Sequence, residues 1–205
     1  MEGRKLSRRQ LLKAAGAVSV AGVVLDPTKA LADDEEDGSQ VTWDIVLLTG
    51  GAVTRGGHAS ADAEDGSRIT VTGHGTFPNV DSCTTAVTGG GTWSITRPGT
   101  DERCFVGSGN YQVTELLSWH PAPGGFLPPS DQTGDEGKPS AGLAILRVLY
   151  DNGRRGTLTV SCDLPGAPPC LFEGITASMV YEDFANHEEP TETDGRTLFH
   201  VGGGD

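Results

Sequence analysis

The chain has 205 residues, 36% of them hydrophobic, and sets 28 Asp and Glu against 15 Lys and Arg, for a net charge of −13 at pH 7. A field of that sign repels nucleic acid and anionic lipid, which removes both from the expected partners. Thirty glycines and twelve prolines favour many turns over long helices.

The N-terminus contains Lys5-Leu6-Ser7-Arg8-Arg9-Gln10-Leu11-Leu12-Lys13. Residues 14–25 form a charge-free run rich in Ala, Gly and Val, closed by Asp26-Pro27, and Ala30-Leu31-Ala32 offers a small-x-small cleavage site. Paired arginines, an apolar core and such a site resemble the twin-arginine (Tat) class of export signal. The twelve-residue apolar run is too short to span a bilayer, which takes roughly 18 residues or more. A signal cleaved after Ala32 is therefore expected, not stable membrane insertion. The resemblance implies the Tat translocase as a partner during export, and a destination in the periplasm, at the cell surface or outside the cell. It also implies folding before export, either around a cofactor or because folding is fast. The residues themselves predict no cofactor.

Residues 33–205 number 173, a length that suits one domain. Six of the 15 basic and two of the 28 acidic residues precede them, which leaves nine against 26, a net charge of −17, with Lys138 the one lysine. Two readings of this shell stay open: adaptation to concentrated salt, or a genome that favours Arg over Lys. All four cysteines lie in this part. An even count in an exported chain predicts two disulfides, with sequential pairing, Cys83–Cys104 and Cys162–Cys170, favoured among the three possible patterns. No Cys-x-x-Cys or His-x-x-x-His spacing supports zinc, and no metal site is predicted.

In chain order, the acidic block Asp33-Asp34-Glu35-Glu36-Asp37 repels itself and is expected to leave 33–40 as a disordered spacer. An antiparallel β domain is expected over 41–184, with strands at 41–48 (VTWDIVLL), 68–72 (RITVT), 92–96 (TWSIT), 110–119 (NYQVTELLSW), 143–150 (LAILRVLY), 157–162 (TLTVSC) and 175–184 (ITASMVYEDF). Period-two alternation, β-branched content and Gly/Asn/Asp punctuation carry these assignments. Strand 143–150 is nearly all apolar, so it is predicted to be central, with 157–162 as its hairpin partner. Gly89-Gly90-Gly91 lacks the Lys-Ser/Thr ending of a phosphate loop and is predicted to be a turn. Residues 120–142 read as a long Pro/Gly-rich loop, a kind usually functional or disordered. Residues 185–205 read as an acidic, Gly-rich tail in which 198–201 (LFHV) adds one short strand or frays. Together these predict an all-β fold: an antiparallel β-barrel, with a β-sandwich as the alternative. Lipocalins, dirigent proteins and allene oxide cyclases are similar in that architecture, a likeness that transfers no function.

Arg147 is the odd residue of the central strand. Alternation places it on the face of Leu143, Ile145 and Leu149, opposite Ala144, Leu146, Val148 and Tyr150. If buried, its charge needs a carboxylate partner, and Glu115 and Glu173 are the candidates; inside a barrel the three would form a polar site. Otherwise Arg147 lies on the outer wall with its stem packed and its head in water. His58, His74, His120, His187 and His200 match no metal signature, and each reads as a surface histidine. Trp43, Trp93 and Trp119 read as core or barrel-rim residues. No Gly-x-Ser-x-Gly elbow occurs. The expectation is an exported, non-enzymatic β domain that binds a small molecule or acts at the cell surface. The alternative is a small-barrel isomerase or lyase built on Arg147, Glu115 and Glu173.

Overall fold

A computed structural model of the chain describes residues 39–81, 83–98, 106–125 and 130–202. The signal with Arg8 and Arg9, the cleavage site after Ala32, and positions 33–38 of the acidic spacer lie outside them. The strands are β1 (Gln40–Thr49), β2 (Ala52–Arg55), β3 (Ala59–Asp62), β4 (Arg68–Val71), β5 (His74–Pro78), β6 (Thr88–Thr96), β7 (Gly107–Ala122), β8 (Ser130–Asp131), β9 (Lys138–Tyr150), β10 (Arg155–Cys162), β11 (Gly174–Met179), β12 (Glu182–Phe184), β13 (Asn186–His187) and β14 (Arg196–Val201). No helix occurs among the described residues.

Six strands close a barrel in the order β1, β5, β6, β7, β9, β14 and back to β1, every pair antiparallel. The fold is therefore an all-β barrel with further strands outside it. Closure depends on β14, from the segment expected to be a tail. Phe199 stands opposite Trp43 on β1 and opposite Ser140 on β9. A closed ladder leaves no open sheet edge on the barrel itself.

Side-chain alternation sorts the two faces. Val41, Trp43 and Ile45 of β1, and Ala144, Leu146, Val148 and Tyr150 of β9, are buried. Trp119 tilts against Phe199 and Phe77 with ring centroids 4.6 and 5.5 Å apart. The barrel is thus filled by aromatic and aliphatic side chains. Room for one of these rings comes from glycine: a Cβ on Gly142 would collide with the indole of Trp119.

Two barrel strands each change partner along one edge. The start of β6 pairs with β5 and its end with β4. The start of β9 pairs with β14 and the rest with β10. From these splits two extensions leave the barrel, β4–β3–β13 and β10–β11–β12, and β3 packs against β11. The hydrophobic core continues between them through Ile69, Ile95, Val160, Ile175, Met179 and Phe184.

The split in β6 falls at Gly89-Gly90-Gly91, so the expected turn is instead strand interior. A Cβ on Gly91 would overlap the backbone carbonyl of Thr72. Glycine is required there because two backbones approach closely where the sheets part. The Tyr111 hydroxyl donates to the Thr72 carbonyl at 2.8 Å and ties this junction.

Residues 175–184 are not one strand. β11 and β12 form a hairpin, Met179 opposite Glu182, reversing through Val180 and Tyr181. A two-residue reversal leaves the alternation intact, and neither Gly nor Asn marks it. Val180 sits at φ 58°, a region that β-branched residues rarely adopt, and Tyr181 is 94% exposed.

The expected Cys162–Cys170 disulfide is corrected: both residues are free thiols. Cys162 ends β10 pointing into the core, where its thiol donates to the Thr197 carbonyl at 3.2 Å, whereas Cys170 is exposed. Cys83 donates to the Leu117 carbonyl at 3.3 Å; its expected partner Cys104 lies outside the described residues.

Gly91→Ala is expected to cost about 1–3 kcal/mol through overpacking and to lower the unfolding temperature by several degrees. An unchanged midpoint in thermal denaturation would remove the close-approach argument. Val180→Gly exchanges about 1–2 kcal/mol of left-handed strain for about 0.5–1 kcal/mol of glycine entropy. The same measurement should show a small rise in midpoint, and a clear fall would contradict the strained turn.

Candidate functional site

The three charged residues singled out in the sequence do not converge. Arg147 points out of the barrel, its side chain 46% exposed, and its Nε donates to Glu115 Oε2 at 2.7 Å. Cross-strand register places this pair, Glu115 opposite Arg147, and both heads reach solvent on the outer wall. Glu173 stands apart, just before β11.

With the interior filled, the space for a small molecule lies outside. A groove of about 400 Å³ runs along the outer face of β1 and β14, within the size range of small-molecule sites. Strand alternation builds one wall. Trp43 and Ile45 point into the barrel, so Val46 and Leu48 face outward, joined by Val53 of β2 and Leu198 of β14. Leu164 and Pro165, from the turn after β10, add further apolar surface. The polar part comes from Glu173, Arg196 and Thr197, with Asp163 beside them.

Glu173 is held by backbone amides. Its Oε1 accepts the Thr197 N–H at 2.8 Å and its Oε2 the Asp163 N–H at 2.6 Å. These donors lie where β10 ends and β14 begins, the point at which β9 has changed partner and ladder hydrogen bonds run out. One carboxylate thus satisfies two amides from strands that are not paired with each other. The Thr197 hydroxyl donates to the Ser161 carbonyl at 2.6 Å and strengthens the same junction.

Burial pushes the Glu173 carboxyl up to about 7, against the two amides and the Arg196 charge, which draw it down. The folded state therefore keeps a proton that the unfolded chain releases between about pH 4.5 and 7. This contribution to stability is complete below pH 4.5 and is lost as pH rises to 7. Beneath the groove, burial and then the Glu173 charge push the Cys162 thiol up, which keeps it protonated and unreactive. Arg196 donates its Nε to the Thr191 carbonyl at 2.9 Å, which fixes the guanidinium beside the groove.

The groove was not legible as a site because its residues come from positions 46–53, 163–165, 173 and 196–198. One local signal existed: from position 45 onward β1 is apolar on both faces, which marks a strand covered on both sides. The histidines are dispersed. His58 lies 3.5 Å from Asp194 and His187 packs on Phe172 at 4.6 Å, while His74 and His120 are exposed. His200 corrects its surface assignment: it is 1% exposed, because residues 130–137 cover it. Among the described residues no group of three or more His, Cys, Asp or Glu is arranged to hold a metal ion.

Glu173→Gln preserves shape but turns one acceptor into a donor, so that either the Asp163 N–H or the buried Thr197 N–H loses its partner. The cost should be about 1–3 kcal/mol, read as a fall of several degrees in unfolding temperature at pH 8. A variant as stable as the parent would show that the carboxylate does not bridge the two strands.

No protein-family model, no curated protein and no solved structure matches the chain.

Proposed function

We propose that the chain is an exported protein that binds a small, largely apolar molecule in the outer groove. The observation that carries this reading is the groove itself: about 400 Å³ walled by Val46, Leu48, Val53, Leu198, Leu164 and Pro165, on a barrel whose interior is full. An exposed apolar recess with a few convergent polar groups is the usual form of a small-molecule site. Arg196 and Glu173 would orient one polar group of the ligand while the aliphatic walls bury the remainder. Export rests on the arginine pair Arg8-Arg9 and the apolar run that follows.

Binding without chemistry is favoured over an isomerase or lyase by the placement of charged groups. Arg147 and Glu115 pair in solvent away from Glu173, both Glu173 oxygens are engaged by backbone amides, and the Cys162 thiol is buried and hydrogen-bonded.

The uncharged fluorophore N-phenylnaphthylamine is expected to bind the purified chain with rising fluorescence. Leu164→Trp, which fills the groove from a turn, should weaken that binding at least about tenfold, about 1.4 kcal/mol, with an unchanged unfolding temperature. Equal binding by both proteins, or none by either, would overturn the reading.

A further inference from the structure

On the same outer face, next to the groove, five ionisable side chains pack together, three from the barrel wall and β2 and two from the segment 130–137 that lies over them. Asp44 of β1 is 1% exposed. Arg55 of β2 places its Nε 3.3 Å from Asp44 Oδ1 and also pairs with Asp135. His200 of β14 places its Nε2 2.7 Å from Asp131 Oδ2 and its Nδ1 3.8 Å from Asp135 Oδ2. The segment is ordered by its own side chains: Asp131 Oδ1 accepts the Thr133 N–H at 2.9 Å and the Thr133 hydroxyl at 2.8 Å. It is tied to β2 by the Gln132 N–H donating to the Val53 carbonyl at 2.8 Å.

Asp44 and Asp135 converge on the single guanidinium of Arg55. The Oδ2 atoms of both are buried, and neither receives an N–H or hydroxyl donor. Two ionised carboxylates so placed repel each other; one proton between them removes the repulsion and supplies the missing donor. Arg55 then balances the single remaining negative charge. We propose that Asp44 and Asp135 hold one proton between them, and that this proton clasps residues 130–137 to the barrel wall, so that a rise in pH frees the segment.

The groups facing Asp44 are Arg55 from β2, Asp131 and Asp135 from the clasped segment, and His200 from β14. Burial is the largest influence and pushes the Asp44 carboxyl up to about 8; the Asp135 hydrogen bond and charge add to it, and Arg55 draws it down. Asp135 is held below the ordinary carboxylate range: burial opposes this, but the Asp44 hydrogen bond and the Arg55 charge prevail. Asp44 is thus the partner that carries the proton. Once the segment lifts, Asp44 meets water and returns toward its ordinary 3.8. Between that value and about 8 the closed form holds one proton more than the open form. Opening therefore gains up to about tenfold per pH unit and levels off above about pH 8. Strand β8 of the segment pairs with β2, which carries Val53 of the groove, so the clasp also braces one groove wall.

Asp44→Asn puts a permanent amide donor where the shared proton lies. The test is amide hydrogen exchange at Gln132 in the full chain and in this variant, compared at each pH from about 5 to 9 so that intrinsic exchange rates cancel. Protection in the parent relative to the variant should fall by up to about tenfold per pH unit to about pH 8, then level off. A constant ratio across the range would overturn the proposal. If the variant does not fold, carbon-13 titration of the Asp44 carboxyl in the parent decides: a midpoint near pH 8 supports the clasp, and ionisation complete by about pH 5 sinks it.

Discussion

The barrel depends on the ladders that seat β14 between β1 and β9. Val41 pairs with Val201 and Phe199 with Ser140, so the last strand closes on the first. Loop closure over such a separation is entropically costly and must be offset by what it buries. The offset is visible in the aromatic packing: Phe199 comes to 4.6 Å from Trp119 and stands opposite Trp43. Remove β14 and two strand edges open together with the packing of Phe199 on Trp119.

A closed ring that also carries extensions must let some strands change partner, and each change leaves backbone groups without a ladder. The chain meets this need in two ways. At β6 three glycines let the backbones approach, and the Tyr111 hydroxyl takes up the Thr72 carbonyl. At β9 a carboxylate does the work, with Glu173 accepting amides from both departing strands. The groove lies at this second junction. The ends of β10 and β14 stand side by side without pairing, and the space beyond them is walled by whatever β1 and β14 present outward. Site and strand topology thus share one cause.

The outer face of β1 and β14 is consequently unlike an ordinary solvent face. Along it Asp44, Val46 and Leu48 alternate with inward-facing Trp43 and Ile45, while β14 contributes Arg196, Leu198 and His200. The polar end is capped by residues 130–137, and the apolar end forms the groove. The long loop read from the sequence is therefore partly structure: its first residues extend β7 to Ala122, its last begin β9 at Lys138, and residues 130–137 lie across buried charge.

Much of the fold was legible. Local alternation identified strands at 41–48, 68–72 and 157–162 close to their observed limits, and it separated Ala144, Leu146 and Val148 from Arg147 onto opposite faces, of which the structure shows the first to be inside. Shorter strands such as β2, β5 and β8 were missed because four or fewer residues, or a glycine-rich stretch, carry too little periodicity. The hairpin at Val180 was missed because its turn has no turn residue. The Cys162–Cys170 bridge was misjudged because cysteine parity says nothing about direction, and Cys162 points into the core.

What the sequence determined by itself is what depends on neighbours one or two residues away: an all-β class, the division of the long strands into two faces, and the scarcity of helix. What only the tertiary structure decided is what depends on distant chain segments meeting. That includes the closing strand drawn from the supposed tail, the partner changes at β6 and β9, the groove assembled from four separate stretches, and the burial of His200 and Asp44 under residues 130–137. The physical reason is that alternation records whether a side chain is covered, but never what covers it.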